Sequence, residues 1–234
     1  IVVLLYDRPA AAIMKSLPAF TPTEALPERD GIVTLRGHFA GDERKLLVRL
    51  PSRADDPGAA ARLEREWALA SELDVPFAPS AVDFGEMSSQ PALVLVDPGG
   101  LPLDVLLELE GKLDLATALR IGSSVARGLE DLHARRIGVA GLEASALLVD
   151  LDEGRARLFD GSLARRPASG PVDARSDLHS LGALMYEMLA GAPPASVRAP
   201  ASLRERDTRI PASLSELVSR LLGIGTSRPS TDAC

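Results

Sequence analysis

Side chains of the types that carry out chemistry are present in this sequence, but most stand without the companions that their chemistry needs. Ser145 and Ser180 have no His and Asp at a spacing typical of a hydrolase triad. His133 and His179 lie on otherwise apolar helical stretches with no second ligand nearby, which favours core or interface histidines over a metal site. The single cysteine, Cys234, excludes an intramolecular disulfide and a cysteine-based zinc site.

Charge and apolar content narrow the class of protein. A formal net charge of -7 leaves no excess of lysine and arginine for binding nucleic acid. The 46% hydrophobic content is ordinary for a globular protein, and 234 residues suffice for one large domain or two lobes. The longest apolar run, Ile1–Tyr6, is far shorter than the roughly 20 residues of a membrane span and lacks the basic flank of a signal peptide. We therefore expect a soluble, cytoplasmic protein of bacterial type without a membrane segment.

Strand patterns dominate the chain as far as Val96. Apolar and polar residues alternate on both sides of a turn at Gly41-Asp42, which predicts a hairpin. The run from Ala92 to Val96 is continuously apolar and predicts a strand buried on both faces. A 3.6-residue spacing predicts one helix over 59–73. The predicted strands are 32–36, 45–50, 82–84 and 92–96.

Helix patterns dominate after the strong breaker Asp97-Pro98-Gly99-Gly100. The long helix is expected to carry its apolar positions at Leu119, Val125, Leu129 and Leu132, and the last helix to open with a capping box of Ser213 and Glu216. The predicted helices are 103–110, 115–133, 176–189 and 213–222, with a small hairpin at 147–159.

The order of these elements divides the chain into three parts. Pro18, Pro22 and Pro27 make the beginning loop-like, and Met14 is an alternative start, so residues 1–24 are an N-terminal extension that need not belong to the folded unit. A small strand-rich lobe then covers 25–97, and a helical lobe, truncated at its end, covers 98–234.

Three segments resemble bacterial Ser/Thr protein kinase domains, including the type fused to sensor histidine kinases. Residues 173–189 read DARSDLHSLGALMYEML, similar to the kinase pattern RSDLYSLGxLxYEML. Residues 133–150 align without gaps to a pattern of the form HARGIVHRDLKPSNILVD, and 63–66 resemble the start of the small-lobe helix. The resemblance covers roughly residues 30–230 and implies a bilobal α+β fold, with a β-rich N-lobe holding one helix and a mainly helical C-lobe.

The alignment also implies that the catalytic loop has lost its chemistry. The position of the catalytic base is Gly141, that of the loop lysine is Glu143, and that of the asparagine metal ligand is Ala146. A kinase needs a base, metal ligands and a cation on the phosphates. Glycine and alanine supply no polar group, so we expect no catalytic residue at these positions.

Other family positions are retained in part. Asp160 keeps one metal-ligand carboxylate and is followed by Gly161 where the family has Phe. A turn residue at the end of a hairpin is the favoured interpretation of Asp160, because the partner ligand position is Ala146. Arg49 replaces the small-lobe lysine, and its usual partner is kept as Glu66, either as an ion pair or as two solvated charges. The glycine-rich loop is reduced to Gly31. We expect the retained positions to form at most a residual nucleotide site, which consists of Gly31, Arg49, Glu66 and Asp160.

Two further residues have structural roles by resemblance. Asp177 is expected to tie the backbone of the catalytic loop, or else to be an acid favoured at a helix N-terminus. Arg228 matches the arginine that pairs with a glutamate absent from this short activation segment. The inter-lobe spine positions are Ala70, Val139 and Gly161, so we expect a collapsed pocket, or one filled by neighbours such as Leu47 and Leu148.

These observations predict a pseudokinase, a regulatory or scaffolding module of bacterial signalling that binds a protein partner and needs no cofactor. The alternative is a weak, atypical ATP-dependent kinase that uses Asp160 for Mg²⁺ and Arg49 for the phosphates of ATP. A decayed gene product without a selected function is the third interpretation. The partner and the oligomeric state are left open by the sequence.

Overall fold

The computed structural model describes residues 14–139, 141–160, 163–165, 174–194 and 201–223. Within them the chain divides into two compact units. The first comprises residues 14–72 and 80–97, and the second comprises residues 73–79 with the described residues from 98 onward. Strands dominate the first unit and helices the second, so the predicted α+β fold class is confirmed.

The first unit is a five-stranded antiparallel sheet with one helix. The strand order is β1-β2-β3-β5-β4, which makes β3 and β5 neighbours although a helix and a strand separate them along the chain. The elements are β1 (Phe20–Arg29), β2 (Ile32–Phe39), β3 (Leu46–Pro51), α1 (Pro57–Ala70), β4 (Ala81–Met87) and β5 (Gln90–Val96).

Two neighbouring inner strands of this sheet, β3 and β5, are largely buried on both faces. From Ala92 to Leu95 the residues of β5 are at most 1% exposed, as the continuous apolar run predicts. One face carries a core cluster to which the residues before β1 also contribute, and α1 packs against β3 and β5. The cluster consists of Leu17, Phe39, Leu46, Val48, Ala92 and Val94.

The interpretation of residues 1–24 as an extension outside the fold is wrong for the part that the structure describes. Residues 20–24 open β1, Leu17 is buried, and its backbone N–H donates to the carbonyl of Glu86 at 2.9 Å. The prolines are compatible with a strand because β1 lies at the sheet edge and its pairing with β2 is irregular beside Pro22 and Pro27. Only Leu26 of β1 is buried, which is why its pattern gives no apolar alternation.

The helix of the first unit begins where its sequence supplies a cap. The Asp56 side chain accepts a hydrogen bond from the backbone N–H of Ala59 at 2.9 Å, and Pro57 occupies the first helical turn. The apolar positions Leu63 and Ala70 are buried on its inner face. Glu66 lies on the same face and is also buried, which leaves an acidic side chain among apolar neighbours.

The second unit combines five short strands, five α-helices and one 3-10 turn among its described residues. Its sheets have the orders β6-β8-β9 and β10-β7. The elements are β6 (Leu101–Pro102), α2 (Leu103–Glu110), α3 (Leu115–Ala134), β7 (Ile137–Val139), a 3-10 turn (Ala144–Ala146), β8 (Leu147–Asp150), β9 (Arg155–Leu158), β10 (Leu163–Arg165), α4 (Arg175–Ala190), α5 (Leu203–Arg206) and α6 (Ala212–Leu221).

The buried face of α3 differs from the predicted one at its start. Val125, Leu129 and Leu132 are buried as expected, but Leu119 is 40% exposed. Ile121, one turn before Val125, takes the place assigned to Leu119 and is fully buried. The buried positions are spaced three and four residues apart, and Leu119 does not fall on that spacing. The prediction included Leu119 because it is apolar, although its position does not match the helical period.

The predicted capping box at Ser213 and Glu216 is also wrong. Helix α6 begins at Ala212, behind Pro211, with no side-chain cap. A capping box does occur eleven residues earlier, where the Ser202 side chain accepts from the backbone of α5 and Glu205 accepts from the Ser202 backbone N–H at 3.1 Å. The motif S-x-x-E occurs at both sites, and Pro211 already supplies the fixed φ that opens α6.

Residues 73–79 belong to the second unit, whereas the sequence assigned them to the small lobe. The Phe77 side chain is buried against Gly128 of α3, and the Phe77 carbonyl accepts from the backbone N–H of Leu158 at 2.9 Å. A Cβ at position 128 would lie 2.0 Å from Cγ of Phe77, so only glycine allows this approach. The glycine in the middle of α3 therefore has a packing reason.

We expect the substitution Gly128→Ala to lower the free energy of unfolding. Alanine improves helix propensity by about 1 kcal/mol, but its methyl group would overlap the root of the Phe77 side chain, and overpacking of this kind costs about 1–3 kcal/mol. Urea unfolding followed by circular dichroism measures the difference. Ser123→Ala on the exposed face of the same helix is the control and should change stability by less than about 0.5 kcal/mol. A stabilised Gly128→Ala variant would contradict the packing argument.

Candidate functional site

The first unit holds a buried ion pair between β3 and α1. Nη1 of Arg49 donates to Oε1 of Glu66, and the two side chains are 4% and 1% exposed. The alternative of two solvated charges is therefore wrong. A pair at this depth loses the hydration of both ions, so each charge depends on the other for its stability. Whether the pair serves a nucleotide stays a prediction.

Gly31 lies in a tight hairpin turn. Arg29 of β1 pairs with Ile32 of β2, which leaves Asp30 and Gly31 as a two-residue loop with φ values of 48° and 70°. An Asp-Gly loop with two positive φ angles is the type I′ turn that fits the twist of a hairpin. The guanidinium of Arg62, on α1, donates to the carbonyl of Asp30. Gly31 is thus explained by the turn, and its assignment to a phosphate-binding loop stays a prediction.

The predicted catalytic loop follows β7 in the second unit. Gly141 is exposed with a φ of 79°, a conformation that favours glycine. Glu143 is exposed, and the backbone then enters the 3-10 turn that ends at Ala146. Ala146 is 1% exposed, and its carbonyl accepts from the backbone N–H of Phe159 at 3.2 Å. Its buried methyl group can ligate no metal ion.

One residue of this loop, Glu143, acts electrostatically on a carboxylate of α4. Glu187 of α4 is half-buried, and burial raises its pKa above the ordinary carboxyl range. The negative charges of Asp104 and Glu143 raise it further. The resemblance predicts that Glu143 occupies the position of the family's loop lysine, and a glutamate there raises the pKa of Glu187 where a cation would lower it.

Asp160 follows β9 and is half-buried. Its neighbours Gly161 and Ser162 lie outside the described residues, as does Arg228. No group of three or more His, Cys, Asp or Glu side chains with the geometry of a metal site occurs in the described part of the chain. The expectation that Asp160 can hold Mg²⁺ stays a prediction, and so does the pairing of Arg228.

Asp177 is fully buried at the start of α4 and joins that helix to two other elements. Its Oδ2 accepts from the backbone N–H of Val139, the last residue of β7, at 3.3 Å. Nε2 of His133, at the end of α3, lies 2.6 Å from the same oxygen. The carboxylate thus reaches the backbone that leads into the predicted catalytic loop. His133 was missed as its partner because 44 positions separate the two residues.

The predicted spine and filling residues are all buried where the structure describes them. Ala70 and Leu47 belong to the first unit and are at most 2% exposed. Val139 and Leu148 belong to the second and are at most 5% exposed. A collapsed or filled nucleotide pocket remains the expectation that these residues suggest.

A double-mutant cycle tests the buried pair. We expect Arg49→Met and Glu66→Leu each to lower the free energy of unfolding by about 3–5 kcal/mol, because each removes the ion-pair partner of a buried charge. The double variant should lose less than the sum, since no charge is left behind. The exposed pair Arg53 and Asp55, whose side chains are 77% and 78% exposed, gives a control cycle with a coupling below about 1 kcal/mol. Additive losses at Arg49 and Glu66 would contradict the coupling.

The raised pKa of Glu187 predicts a dependence of stability on pH. A carboxyl whose pKa is higher in the folded than in the unfolded state stabilises the fold at low pH, and this contribution falls as the pH rises through the folded pKa. At neutral pH the melting temperature of Glu187→Gln should therefore exceed that of the wild type, by no more than about 2 °C because solvent screens the half-buried group. Near about pH 4 the two melting temperatures should be equal.

The control for this comparison is Glu130→Gln, at an exposed position of α3. Melting curves of both variants are recorded across the acidic and neutral range. Glu143→Lys should reproduce part of the gain of Glu187→Gln, because it replaces a repelling charge by an attracting one. A gain from Glu187→Gln that is constant across the pH range would show that the proton is not involved.

No family model matches the chain. Among curated proteins it is similar to the Ser/Thr-protein kinase PknB of Mycobacterium tuberculosis, with 27% identity over 206 residues, which cover 74% of this chain and 33% of PknB. It is also similar to the Ser/Thr-protein kinase pkn3 of Myxococcus xanthus, with 25% identity over 167 residues, which cover 58% of this chain and 30% of pkn3. The chain thus spans about a third of the length of these curated relatives.

Among solved structures it matches the PknI kinase domain of Mycobacterium tuberculosis, crystallised as a double mutant. The TM-score is 0.67 with 21% sequence identity, and the match covers 91% of each chain. Because the sequence identity is low, this likeness shows the fold alone. The chain has the protein kinase-like fold, and bacterial Ser/Thr-protein kinases are its relatives.

Proposed function

We propose that this chain is a pseudokinase, a catalytically impaired kinase-like domain that acts as a regulatory or scaffolding module in bacterial signalling. The observation that carries the proposal is the loop after β7, where Gly141 and the buried Ala146 stand at the positions of the base and of a metal ligand. Removal of a general base alone lowers a rate by about 10²–10⁴, and loss of metal ligation removes a further electrostatic contribution.

The charges around the loop support the same proposal. Phosphoryl transfer needs cations near the transferred group. Here Glu143 stands at the position of the loop lysine, and its charge adds to those of Asp104 and Glu187. Such a cluster repels a polyphosphate unless metal ions neutralise it. Asp160 is the remaining acidic candidate for holding such an ion, since Ala146 offers no ligand atom.

A role in binding a protein partner is consistent with what the fold has kept. Asp177 still joins α3, β7 and α4, although the loop that it holds carries no base. Arg49 and Glu66 are still paired inside the first unit. A buried charge destabilises a fold once its partner is lost, so a gene that decays without selection is not expected to keep both arrangements. Their presence therefore favours a scaffold over a decayed product. We place this role in the cytoplasm, with a signalling protein as partner and no nucleic acid.

The second candidate is a weak, atypical ATP-dependent Ser/Thr kinase. The buried pair of Arg49 and Glu66 favours it, because a cation held at this place in β3 corresponds to the small-lobe lysine of the family. Arginine is a planar fork and no simple replacement for an ammonium group, so phosphate contacts would differ in geometry. Asp160 would supply the ligand for Mg²⁺.

Titration of the purified chain with ATP and Mg²⁺ separates the two candidates. A nucleotide present at about 100 times its Kd raises the free energy of unfolding by about 2.7 kcal/mol, which a melting curve detects. We expect no such shift, and no transfer of radiolabelled phosphate to the chain or to a general protein substrate. A shift that is lost in Asp160→Ala but kept in Asp74→Ala, an exposed acid near the end of α1, would establish the kinase alternative.

A further inference from the structure

The second unit has a groove whose lining includes no residue of the predicted catalytic loop or of the residual nucleotide site. The groove has a volume of about 610 Å³ and runs between the outer side of α3 and the turn that joins β8 to β9. Phe77 and Ala156 form part of its floor and are buried. The exposed Leu119, which lies off the core face of α3, stands on its wall.

The lining of this groove is basic in a chain of net charge -7. Arg155 is paired with Glu153 at 3.1 Å, and Arg120 donates to the carbonyl of Leu151 at 3.3 Å. Within the described residues, Arg127 and Arg157 form no ion pair or hydrogen bond with another side chain. The groove lining carries four arginines, which are Arg120, Arg127, Arg155 and Arg157, against two acids, which are Asp131 and Glu153.

The walls of the groove are held in place by contacts between α3 and the hairpin. Oγ of Ser124 accepts from the backbone N–H of Ala156 at 3.0 Å and lies 3.4 Å from the Ala156 carbonyl oxygen. Gly154 has a φ of 63° and lies against the stem of Arg120, so a Cβ there would be 2.9 Å from Cβ of that arginine. A groove fixed in this way loses little conformational entropy when it takes up a ligand.

We propose that this groove docks an acidic peptide segment of the signalling partner, one that carries an apolar side chain beside its carboxylates. Arg127 and Arg157 would bind the carboxylates, since guanidinium groups bind them with paired hydrogen bonds. Leu119, 40% exposed, would be covered by the apolar side chain. Charge identifies the occupant as anionic. The chain as a whole has a net charge of -7 and repels anions, whereas the arginines of the groove attract them locally.

The inference rests on the partner-binding part of the proposed function and does not depend on the absence of phosphate transfer. A nucleic acid is a poorer fit than an acidic peptide. The anionic remainder of the chain repels an extended phosphate backbone, whereas a short segment meets only the groove. An apolar contact at Leu119 also has no role in binding a phosphate backbone.

Fluorescence anisotropy with a short labelled peptide, in which Leu alternates with Asp and Glu, tests the proposal on the whole chain. The comparison peptide has Lys in place of each acid. We expect the acidic peptide alone to bind, and the binding to weaken as salt is added. The double variant Arg127→Glu/Arg157→Glu should raise the Kd at least about tenfold. Arg204→Glu, exposed on α5 and outside the groove, should leave it unchanged.

Leu119→Ser gives an independent readout, because it removes apolar contact without changing the charge of the groove. We expect it to raise the Kd for the acidic peptide several-fold. Melting curves identify any variant that fails to fold, and Leu119 and both arginines lie at positions that the core does not need. The proposal is overturned if no peptide binds, if the Lys peptide binds as well as the acidic one, or if the double variant retains wild-type affinity. The ATP titration reports separately on the proposed loss of catalysis, so the failure of either idea is recognised without the other.

Discussion

The buried carboxylate of Asp177 is the constraint on which the second unit most depends. A charge at zero exposure is tolerated only when hydrogen bonds replace its hydration. Here the replacing groups come from the end of α3, through His133, and from the end of β7, through Val139. Since Asp177 itself opens α4, the ends of three elements are fixed to one oxygen atom. The loop at 141–146 begins two positions after Val139 in the sequence, so the strand that precedes the loop is held at this point.

Buried polar groups and exposed loop residues differ in how far the stability of the fold depends on them. Asp177, Arg49 and Glu66 each stabilise packed elements, and loss of one would leave another buried polar group without its partner. Gly141 and Glu143 are exposed, so changes at these positions leave the core untouched. A change at an exposed position of this kind can thus leave the fold intact, as the proposed loss of catalysis requires.

Much of the fold follows from periodicity, and the exceptions have identifiable causes. The helices α3 and α4 and the hairpin of β8 and β9 were predictable because their apolar spacing is regular. Strand β1 was missed because an edge strand with one buried residue has no alternation and tolerates proline. The partner of Asp177 could not be predicted from spacing, since His133 is brought to it by the packing of α3 on α4. Motif alignment located the loop positions, whereas the burial of Ala146 and the acids around Glu143 required coordinates.

The assignment of residues 73–79 has a consequence for how the chain can be divided. The first unit is discontinuous, because its helix and its last two strands are separated by a segment whose side chains are buried in the other unit. Val75, Phe77 and Ala78 are all at most 6% exposed. A gene fragment that stops at Asp97 would retain these side chains and lose α3, which covers Phe77. Such a fragment would expose an apolar strip to solvent, so Asp97 is a poor place at which to separate the two units.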